Sequence, residues 1–354
     1  MHPVRERQKI LQLYRSVPAG HMPVAPVGAA GRIGGTRFCP NHAFRVNVRS
    51  LFRLVASIVL FALVLWFIGP ARVLASFTQA DSGWLAAGFA ASLCASLLSA
   101  LRWHALAAWL GVHAPRREMI LAYWRGVMAN TVLPGATLGG DTLRALHLQN
   151  LGHPIARTAA SVLLDRLSGL WVLVALSLSM TAVAQALGLL SAAVLSTPPI
   201  FAAALTVLTI IAPLLIWSLS MALKGLLPGR AIALLDALHA RPNPLQQYFV
   251  QILWSGGVQL FSIAAFAFGG YGLGLDLVWW QFVIAAGPIF VFAAMPVGIG
   301  GWGTREAASA LMLGAFGATQ ETAVACAILY GLFTTLQGLL GALSLLHAKG
   351  AEGL

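Results

Sequence analysis

Long apolar runs separated by short polar breaks occupy most of the chain after Leu51. About six of these runs are long enough to cross roughly 30 Å of hydrocarbon as a helix. They cover approximately residues 51–68, 84–110, 159–187, 200–223, 248–270 and 322–347. Few stretches show the alternation of a β-strand, so helices are favoured over a barrel. The pattern predicts an all-α polytopic membrane protein.

Two further apolar stretches are interrupted by proline and glycine. The first has short arms at about 119–133 and 142–151, and the second has an arm at about 278–295 and another that begins at Thr304. These arms are too short to span, and irregular backbone at membrane depth needs protein or a water-filled cavity around it. The pattern therefore predicts two re-entrant broken-helix hairpins.

The two hairpins lie at corresponding positions of two halves, about 84–187 and 248–347. Each half contains a span, a hairpin and a second span, and the loop charges place the two halves in opposite orientations. Interrupted segments in inverted halves indicate a binding site near the middle of the membrane. We therefore expect an inverted repeat with its site between the hairpins.

The composition and charge agree with a membrane protein. The chain is 59% hydrophobic and 9% charged, with a formal net charge of +12. Residues 1–48 are rich in arginine and lack apolar periodicity, which predicts a basic, largely disordered tail. The positive-inside rule places this tail and residues 349–354 in the cytoplasm, on either side of a transmembrane domain at 49–348 in a bacterial-type inner membrane. No basic fold accompanies the charges, so no nucleic-acid partner is expected.

Candidate site residues collect at the two breaks and in the span after the first one. A charge inside the bilayer costs about 3 kcal/mol on insertion scales, which makes such a residue a functional candidate. The candidates are Asn130, Pro134, Gly139, Gly140, Asp141, Arg144, Asp165, Arg166, Pro296, Gly300, Gly301, Arg305 and Glu306.

Spacing leaves the roles of the charges open. Arg144 with Asp165, or Arg305 with Asp141, would form a buried pair, and the arginines would either bind lipid phosphate or serve only in such pairs. Adjacent helical residues point apart, so either Asp165 or Arg166 should face the bundle and the other the interface.

Helix ends offer a second type of anion site. Asp141 and Thr304 are suitable N-caps for the two short helices, whose free N–H groups attract phosphate or carboxylate. Near the other spans, Arg102 is expected to snorkel to water and Trp103 to lie at the membrane interface, while Arg125 is either a site cation or a snorkelling residue.

Catalytic and cofactor signals are weak. The stretch Gly298–Gly303 spells G-x-G-x-x-G, but no strand precedes it. The three cysteines are far apart and no His/Cys cluster has metal-ligand spacing. We therefore predict no cofactor, no metal and no enzymatic activity.

Three motifs in order resemble a known family, the flippase-like transmembrane domain of lysylphosphatidylglycerol synthases. They are N-x3-P-G-x3-G-G-D-x2-R from Asn130, D-R-x2-G from Asp165 and P-x-G-x-G-G-x-G-x-R-E from Pro296, with Arg102-Trp103 after the second span. The resemblance covers about residues 50–347. In the synthases a soluble aminoacyl-transfer domain follows, whereas this chain stops at Leu354, so the resemblance implies the lipid-translocating part without the synthase activity.

The leading hypothesis is a flippase-like protein that binds or translocates an anionic or amphiphilic lipid head group at a midplane site between the hairpins. Its ligand would be an anionic phospholipid or a polyprenyl-phosphate-linked lipid. One alternative is a membrane-embedded head-group transferase or hydrolase with Asp141 or Glu306 as general base. Another is a non-catalytic membrane partner of a separate glycosyl- or acyltransferase.

Overall fold

The computed structural model describes residues 48–132, 137–190, 197–222, 224–226, 229–295 and 300–351. These residues form helices and connecting turns, with no strand among them. The α-helices of the described part are α1 (Val48–Ile68), α2 (Pro70–Ala75), α3 (Ser82–Trp109), α4 (Arg116–Val132), α5 (Thr137–Asn150), α6 (Ile155–Ala186), α7 (Pro199–Ala222), α8 (Gly229–His239), α9 (Pro244–Gly272), α10 (Trp279–Ala294), α11 (Thr304–Gly314) and α12 (Gln320–Ala351). The predicted all-α class is confirmed.

Five helices in these described ranges are long and apolar enough to cross a membrane, namely α3, α6, α7, α9 and α12. The first predicted span corresponds to α1, a helix of 21 residues. Large apolar side chains cover the outer faces, for example Leu253 at 76% and Phe67 at 80% exposure. Such faces are suited to lipid, and a helix satisfies its backbone polar groups within the segment. The chain is a multi-pass membrane protein.

The antiparallel pair α3 and α9 forms the centre of the bundle. At one end the Asp81 N–H donates to the Gly272 carbonyl at 2.9 Å, and at the other Trp109 Nε1 donates to the Pro242 carbonyl at 2.9 Å. We call these the Asp81 end and the Trp109 end. Asp81 also caps α3, because its carboxylate accepts from the first-turn N–H groups.

The helix α6 runs from the Trp109 end alongside α9. Arg102 of α3 contacts both Asp165 of α6 and Ser255 of α9. Gly169 follows Asp165 by four residues on α6, and Gln259 follows Ser255 by four residues on α9. These two residues are also in contact, because Gln259 Nε2 donates to the Gly169 carbonyl at 2.8 Å. The equal spacing shows that α6 and α9 are parallel here.

The helix α12 runs the opposite way, from the Asp81 end. Near its start Glu321 forms an ion pair with Arg72 of α2 at 3.4 Å. Farther along, Gln337 Nε2 donates to Ser92 of α3 at 2.8 Å. Thus α3 and α12 run in one direction and α6 and α9 in the other, which gives the two halves opposite orientations within the bundle.

Each half contains an antiparallel helical hairpin. The first hairpin, α4 with α5, opens at the Trp109 end, where His153 Nε2 lies 2.9 Å from the His113 carbonyl oxygen. The second hairpin, α10 with α11, opens at the Asp81 end, where the Trp280 and Phe316 rings meet edge to face at 5.8 Å. The two hairpins therefore enter the bundle from opposite ends.

The first arm of each hairpin packs on the last span of the other half, α4 on α12 and α10 on α6. Pro288 of α10 has no N–H, which removes the usual helical partner of the Ile284 carbonyl. Ser177 Oγ of α6 donates to that carbonyl at 2.7 Å instead. The two halves therefore pack against each other through the first arms of their hairpins.

The tips of the two hairpins are in contact. A side chain at Gly300 would lie 3.5 Å from the Asn130 carbonyl oxygen, and one at Gly338 in the middle of α12 would lie 2.7 Å from Thr131 Oγ1. Gly300 and Gly301 have φ of +56° and +78°, a conformation that residues with a Cβ rarely adopt. The tips meet near the middle of the bundle.

Some local predictions were wrong. The second arm of the first hairpin begins at Thr137 and not at Thr142, because the two glycines at 139 and 140 continue the helix. Asp141 therefore lies inside α5 and does not cap it. The basic stretch after α7 contains a 3₁₀ turn, Lys224–Leu226, and α8, which the sequence analysis did not assign.

Several predictions lie outside the described residues. They are the disordered tail before residue 48, the prolines at 134 and 296, and the residues after 351. The boundaries of the predicted domains also stay predictions.

Gly140→Ala is expected to destabilise the first hairpin, because the new methyl group would overlap the Gly126 carbonyl oxygen and the Asn130 side chain. Overpacking of this kind costs about 1–3 kcal/mol. Thermal unfolding in detergent, followed by tryptophan fluorescence, measures the loss. Gly256→Ala is the matched control, because nothing lies within 4 Å of the position that its methyl group would occupy. Equal unfolding temperatures for the two variants would contradict the packing described.

Candidate functional site

A buried carboxylate, Asp165 of α6, lies at the centre of the first group of charges. Arg102 Nε donates to Asp165 Oδ1 at 2.9 Å, and Arg144 Nη2 donates to Asp165 Oδ2 at 2.7 Å. Arg102 Nη2 also donates to the Asp165 carbonyl oxygen at 2.9 Å, and Arg102 Nη1 to Ser255 Oγ at 3.0 Å. All three charged side chains are at most 6% exposed. Asp165 therefore joins α6 to α3 and α5, and Arg102 extends the network to α9.

Arg144 lies between two aromatic rings. Its guanidinium carbon is 4.1 Å from the centroid of Trp103 and 4.8 Å from that of Tyr123. Trp103 is fully buried and donates from Nε1 to Ser161 Oγ at 3.2 Å. Contacts with aromatic faces stabilise a desolvated guanidinium without neutralising its charge. Arg144 Nε has no hydrogen-bond partner among the described residues.

A second aspartate, Asp141 of α5, connects the buried charges to the surface. Arg166 binds it through Nε, at 3.1 and 3.0 Å from the two carboxylate oxygens, and through Nη2 at 2.9 Å. Arg144 Nη1 also reaches Asp141 Oδ1 at 3.4 Å. The Arg166 side chain is 40% exposed and that of Asp141 17%. As expected for neighbours on a helix, Arg166 faces outward while Asp165 faces the bundle.

Together these residues form what we call the first charge cluster. It contains Arg102, Asp141, Arg144, Asp165 and Arg166. Three guanidinium groups and two carboxylates leave a formal charge of +1, since 3 − 2 = 1. A surplus positive charge in a desolvated site favours an anionic ligand.

The second charge cluster lies at the tip of the other hairpin. Arg305 donates to Glu306 Oε1 from Nε at 3.1 Å and from Nη2 at 2.7 Å, and its guanidinium carbon lies 4.9 Å from the Trp302 ring centroid. The other oxygen of Glu306 accepts from the Gly303 N–H at 2.6 Å, at the start of α11. Neither charged side chain is more than 3% exposed. This cluster is formally neutral.

Glycines on the last span of each half make room for the arginines. A side chain at Gly169 of α6 would lie 2.9 Å from Arg102 Nη1, and one at Gly331 of α12 would overlap the Arg305 guanidinium. Both halves therefore contain the same arrangement, in which an arginine side chain packs on a glycine of a long helix. The difference is that the carboxylate bound to Arg102 comes from the long helix α6 itself, whereas the carboxylate bound to Arg305 comes from the hairpin helix α11.

The structure brings most of the predicted site residues to the two hairpin tips. The side-chain oxygen Oδ1 of Asn130 accepts from the Gly140 N–H at 2.8 Å and so connects the arms of the first hairpin. Gly139 is half-buried beside it. Of the two alternative pairings, the structure shows Arg144 with Asp165, while Arg305 binds Glu306 and not Asp141.

The predicted surroundings of Arg102 and Trp103 were wrong. Both were expected near the water interface, but Arg102 is 5% exposed and Trp103 is completely buried. Asp165 and Ser255 provide the partners that replace water for the arginine. The missed signal was the glycine at 169, four residues after Asp165, which leaves space for a guanidinium on that face of α6.

Two other local assignments also differ from the prediction. Thr304 does not cap α11, because Gly303 occupies the N-cap position and Thr304 Oγ1 donates to the Gly301 carbonyl at 3.1 Å. Arg125 was left as a site cation or a snorkelling residue. It contacts Ser344 of α12, with Nε at 3.2 Å from Oγ and Nη2 at 3.4 Å from the carbonyl oxygen.

Comparison with known proteins agrees with the fold. The profile of one family, described as "Lysylphosphatidylglycerol synthase TM region", matches residues 52–341. The match includes both hairpins and both charge clusters. No protein of curated function matches the sequence.

Arg102→Ala is expected to destabilise the protein strongly, because it removes two of the hydrogen bonds that Asp165 accepts. Breaking a buried ion pair from one side costs about 3–5 kcal/mol. The measurement is denaturant or thermal unfolding of purified protein in detergent. Arg72→Ala, which removes an ion pair whose arginine side chain is 75% exposed, is the control and should unfold near the wild-type midpoint. If both variants unfold alike, the central role of Asp165 is wrong.

Proposed function

Because the chain belongs to the lysylphosphatidylglycerol synthase TM region family, we propose that it is a flippase-like membrane protein. It binds the anionic head group of a phospholipid or of a polyprenyl-phosphate-linked lipid between its hairpins and passes it from one leaflet to the other. Family membership supports a role that involves membrane lipids. The specific activity rests on the geometry of the charge clusters.

The surplus positive charge of the first charge cluster carries the proposal. A purely structural network would be expected to balance its charges, because each uncompensated charge in a desolvated site is costly. Here one guanidinium, Arg144, is held between two rings with Nε unpartnered in the described part of the chain. Guanidinium groups bind phosphate through paired N–H donors, so a lipid phosphate would complete the cluster.

The lengths of the hairpin arms support a head-group site at membrane depth. The arms α4, α5, α10 and α11 have 17, 14, 16 and 11 residues. At 1.5 Å per residue they are about 17 to 26 Å long, which is shorter than about 30 Å of hydrocarbon. We infer that both hairpins are re-entrant and that their touching tips lie near the midplane.

An apolar cavity offers a place for an acyl chain. Its volume is about 440 Å³, and it lies between α6 and the second hairpin, with Leu178, Ile284, Val291 and Phe316 in its wall. Cavities of this size hold small ligands or part of a larger one. A lipid could therefore keep its chain beside the hairpin while its head group moves at the tips.

Charge asymmetry supports a cytoplasmic location for the Trp109 end. The segments at that end carry five basic residues, Arg116, Arg117, Arg157, Lys224 and Arg241, against the two acidic residues Glu118 and Asp236. The segments at the Asp81 end carry Arg72 against three acidic residues: Asp81, Asp276 and Glu321. The positive-inside rule then places the starts of α1 and α6 and the end of α12 in the cytoplasm of an inner membrane.

The alternative functions have less support. In both clusters every carboxylate accepts hydrogen bonds from guanidinium groups. These partners occupy the oxygens that a general base would use, which favours ligand binding over proton abstraction. A role as partner of a separate glycosyl- or acyltransferase stays a prediction from the sequence.

The proposed activity predicts lipid movement in liposomes. Purified protein should transfer a fluorescent anionic phospholipid, or a labelled polyprenyl phosphate, between leaflets faster than empty liposomes do, as measured by dithionite quenching. Arg144→Gln and Arg305→Gln should each slow transfer about tenfold, since a hydrogen bond to a charged group contributes about 1.5–3 kcal/mol. Arg72→Gln is the control and should transfer lipid at the wild-type rate. The proposal fails if wild-type protein moves neither lipid faster than empty liposomes.

The proposed orientation predicts the location of reporter fusions. A fluorescent protein attached after Leu354 should fold and fluoresce in the cytoplasm. An alkaline phosphatase inserted between α6 and α7, at the Asp81 end, should be active outside. A dark fluorescent protein at the C-terminus together with an inactive phosphatase between α6 and α7 would reverse the orientation without affecting the fold.

A further inference from the structure

A row of polar side chains runs along the inner face of α9. It consists of Gln247, Gln251, Ser255, Gln259 and Ser262, at spacings of four or three residues that keep them on one helix face. We call this row the α9 polar stripe. Gln251, Ser255, Gln259 and Ser262 are all 9% exposed or less. The opposite face of the same helix carries exposed apolar residues such as Leu253 and Leu260, so the polar side chains face the bundle and not the lipid.

In the middle of the stripe, Ser255 and Gln259 form hydrogen bonds to the site already described. Ser255 Oγ accepts from Arg102 Nη1 at 3.0 Å, and Gln259 Nε2 donates to the Gly169 carbonyl at 2.8 Å. Both contacts lie beside Asp165. The stripe therefore reaches the first charge cluster from the side of α9.

The part of the stripe toward the Trp109 end is different. Both amide atoms of Gln251 are buried without a hydrogen-bond partner among the described residues, and so is Nε2 of Gln247 one turn earlier. Gln251 itself is only 7% exposed. An amide in a dry apolar site loses about 1–3 kcal/mol for each unmade bond, so native structures satisfy such groups with protein, water or ligand.

Other unpartnered buried atoms lie on the hairpin that opens at the same end. In the described ranges they are Trp124 Nε1 of α4 and Arg144 Nε of α5. Most of these atoms are nitrogen donors. Water satisfies such groups at buried polar sites, and an amide with both a donor and an acceptor also suits a hydroxyl-bearing head group.

We propose that the α9 polar stripe is a hydrated access route from the Trp109 end of the bundle to Arg102 and Asp165. Water occupies the route at rest, and the polar head group of the lipid passes along it during transport. From Gln247 to Ser255 the route is about 12 Å long, eight residues at 1.5 Å each. The passage of a head group rests on the proposed function, whereas the access of water does not.

Cysteine labelling tests the access of water. Cys39, Cys94 and Cys326 are first replaced by alanine, and single cysteines are placed at Gln251, Leu253 or Ile263 in full-length protein in nanodiscs. Leu253 lies two residues from Gln251 on the lipid side, and Ile263 is 2% exposed in the apolar core. The cysteine thiolate attacks the sulfur of a charged methanethiosulfonate reagent, forms a mixed disulfide and displaces methanesulfinate. Because the thiolate forms in water and is suppressed in apolar surroundings, Gln251→Cys should react about tenfold faster than either control.

Slow labelling of Gln251→Cys, at the rate of Ile263→Cys and in protein with wild-type elution and unfolding temperature, would overturn the route. If that variant does not fold, Gln247→Cys provides the same comparison one turn nearer the start of α9, at the Trp109 end of the bundle. Fast labelling at Gln247 then supports the route, and slow labelling overturns it. Labelling requires no lipid transfer, so a hydrated stripe in a protein that moves no lipid would contradict the proposed function and leave the route intact.

The role in head-group passage has its own variant. Gln251→Leu replaces the amide with an apolar side chain of similar length and should slow lipid transfer about tenfold, through loss of hydrogen bonds to the passing head group. Its unfolding temperature should not fall, because no protein hydrogen bond among the described residues is lost. Transfer at the wild-type rate in the folded variant would overturn this role.

Discussion

The ion pairs of Asp165 with Arg102 and Arg144 are the interactions on which the rest of the structure depends. A carboxylate with 2% side-chain exposure is strongly unfavourable unless it is paired and hydrogen-bonded. The two arginines come from different helices, so the charge is satisfied only when α3, α5 and α6 are all in place. The first hairpin is therefore positioned by electrostatics as well as by packing. Arg144, between its aromatic rings, keeps one N–H donor, Nε, without a hydrogen-bond partner among the described residues.

The inverted arrangement explains why each half carries one such site. Each hairpin enters from its own end and lays its first arm on the last span of the other half, so each half covers part of the other half's hairpin. The tips then meet at Gly300 and Asn130. The clusters differ in charge: the first has a surplus of +1 and partly exposed members, while the second is neutral and closed. Under the proposed function, this difference favours the first cluster over the second as the place where an anion binds.

The sequence predicted most of the helices, the two helical hairpins and most of the charged residues that the structure brings into two clusters, because apolar run length and interrupting glycines are local signals. It did not predict the partner of Arg102, since an arginine near the end of an apolar run is equally typical of a residue that snorkels to water. Only the packing of α3 on α6 and α9 shows that Asp165 and Ser255 replace water there. The start of α5 was missed for a similar reason: Gly140 breaks a helix in isolation, but here its N–H binds Asn130 and its small size lets α4 approach.

The central claim is that the first charge cluster holds a lipid anion and does not merely balance itself. Mass spectrometry of lipid that co-purifies with the protein tests this most directly, with wild type, Arg144→Gln and Arg72→Gln isolated from the same cells. The account predicts that wild type and Arg72→Gln retain one class of anionic lipid well above its share of the membrane, and that Arg144→Gln loses it. Identical lipid profiles for all three proteins, each matching the bulk membrane, would contradict the account.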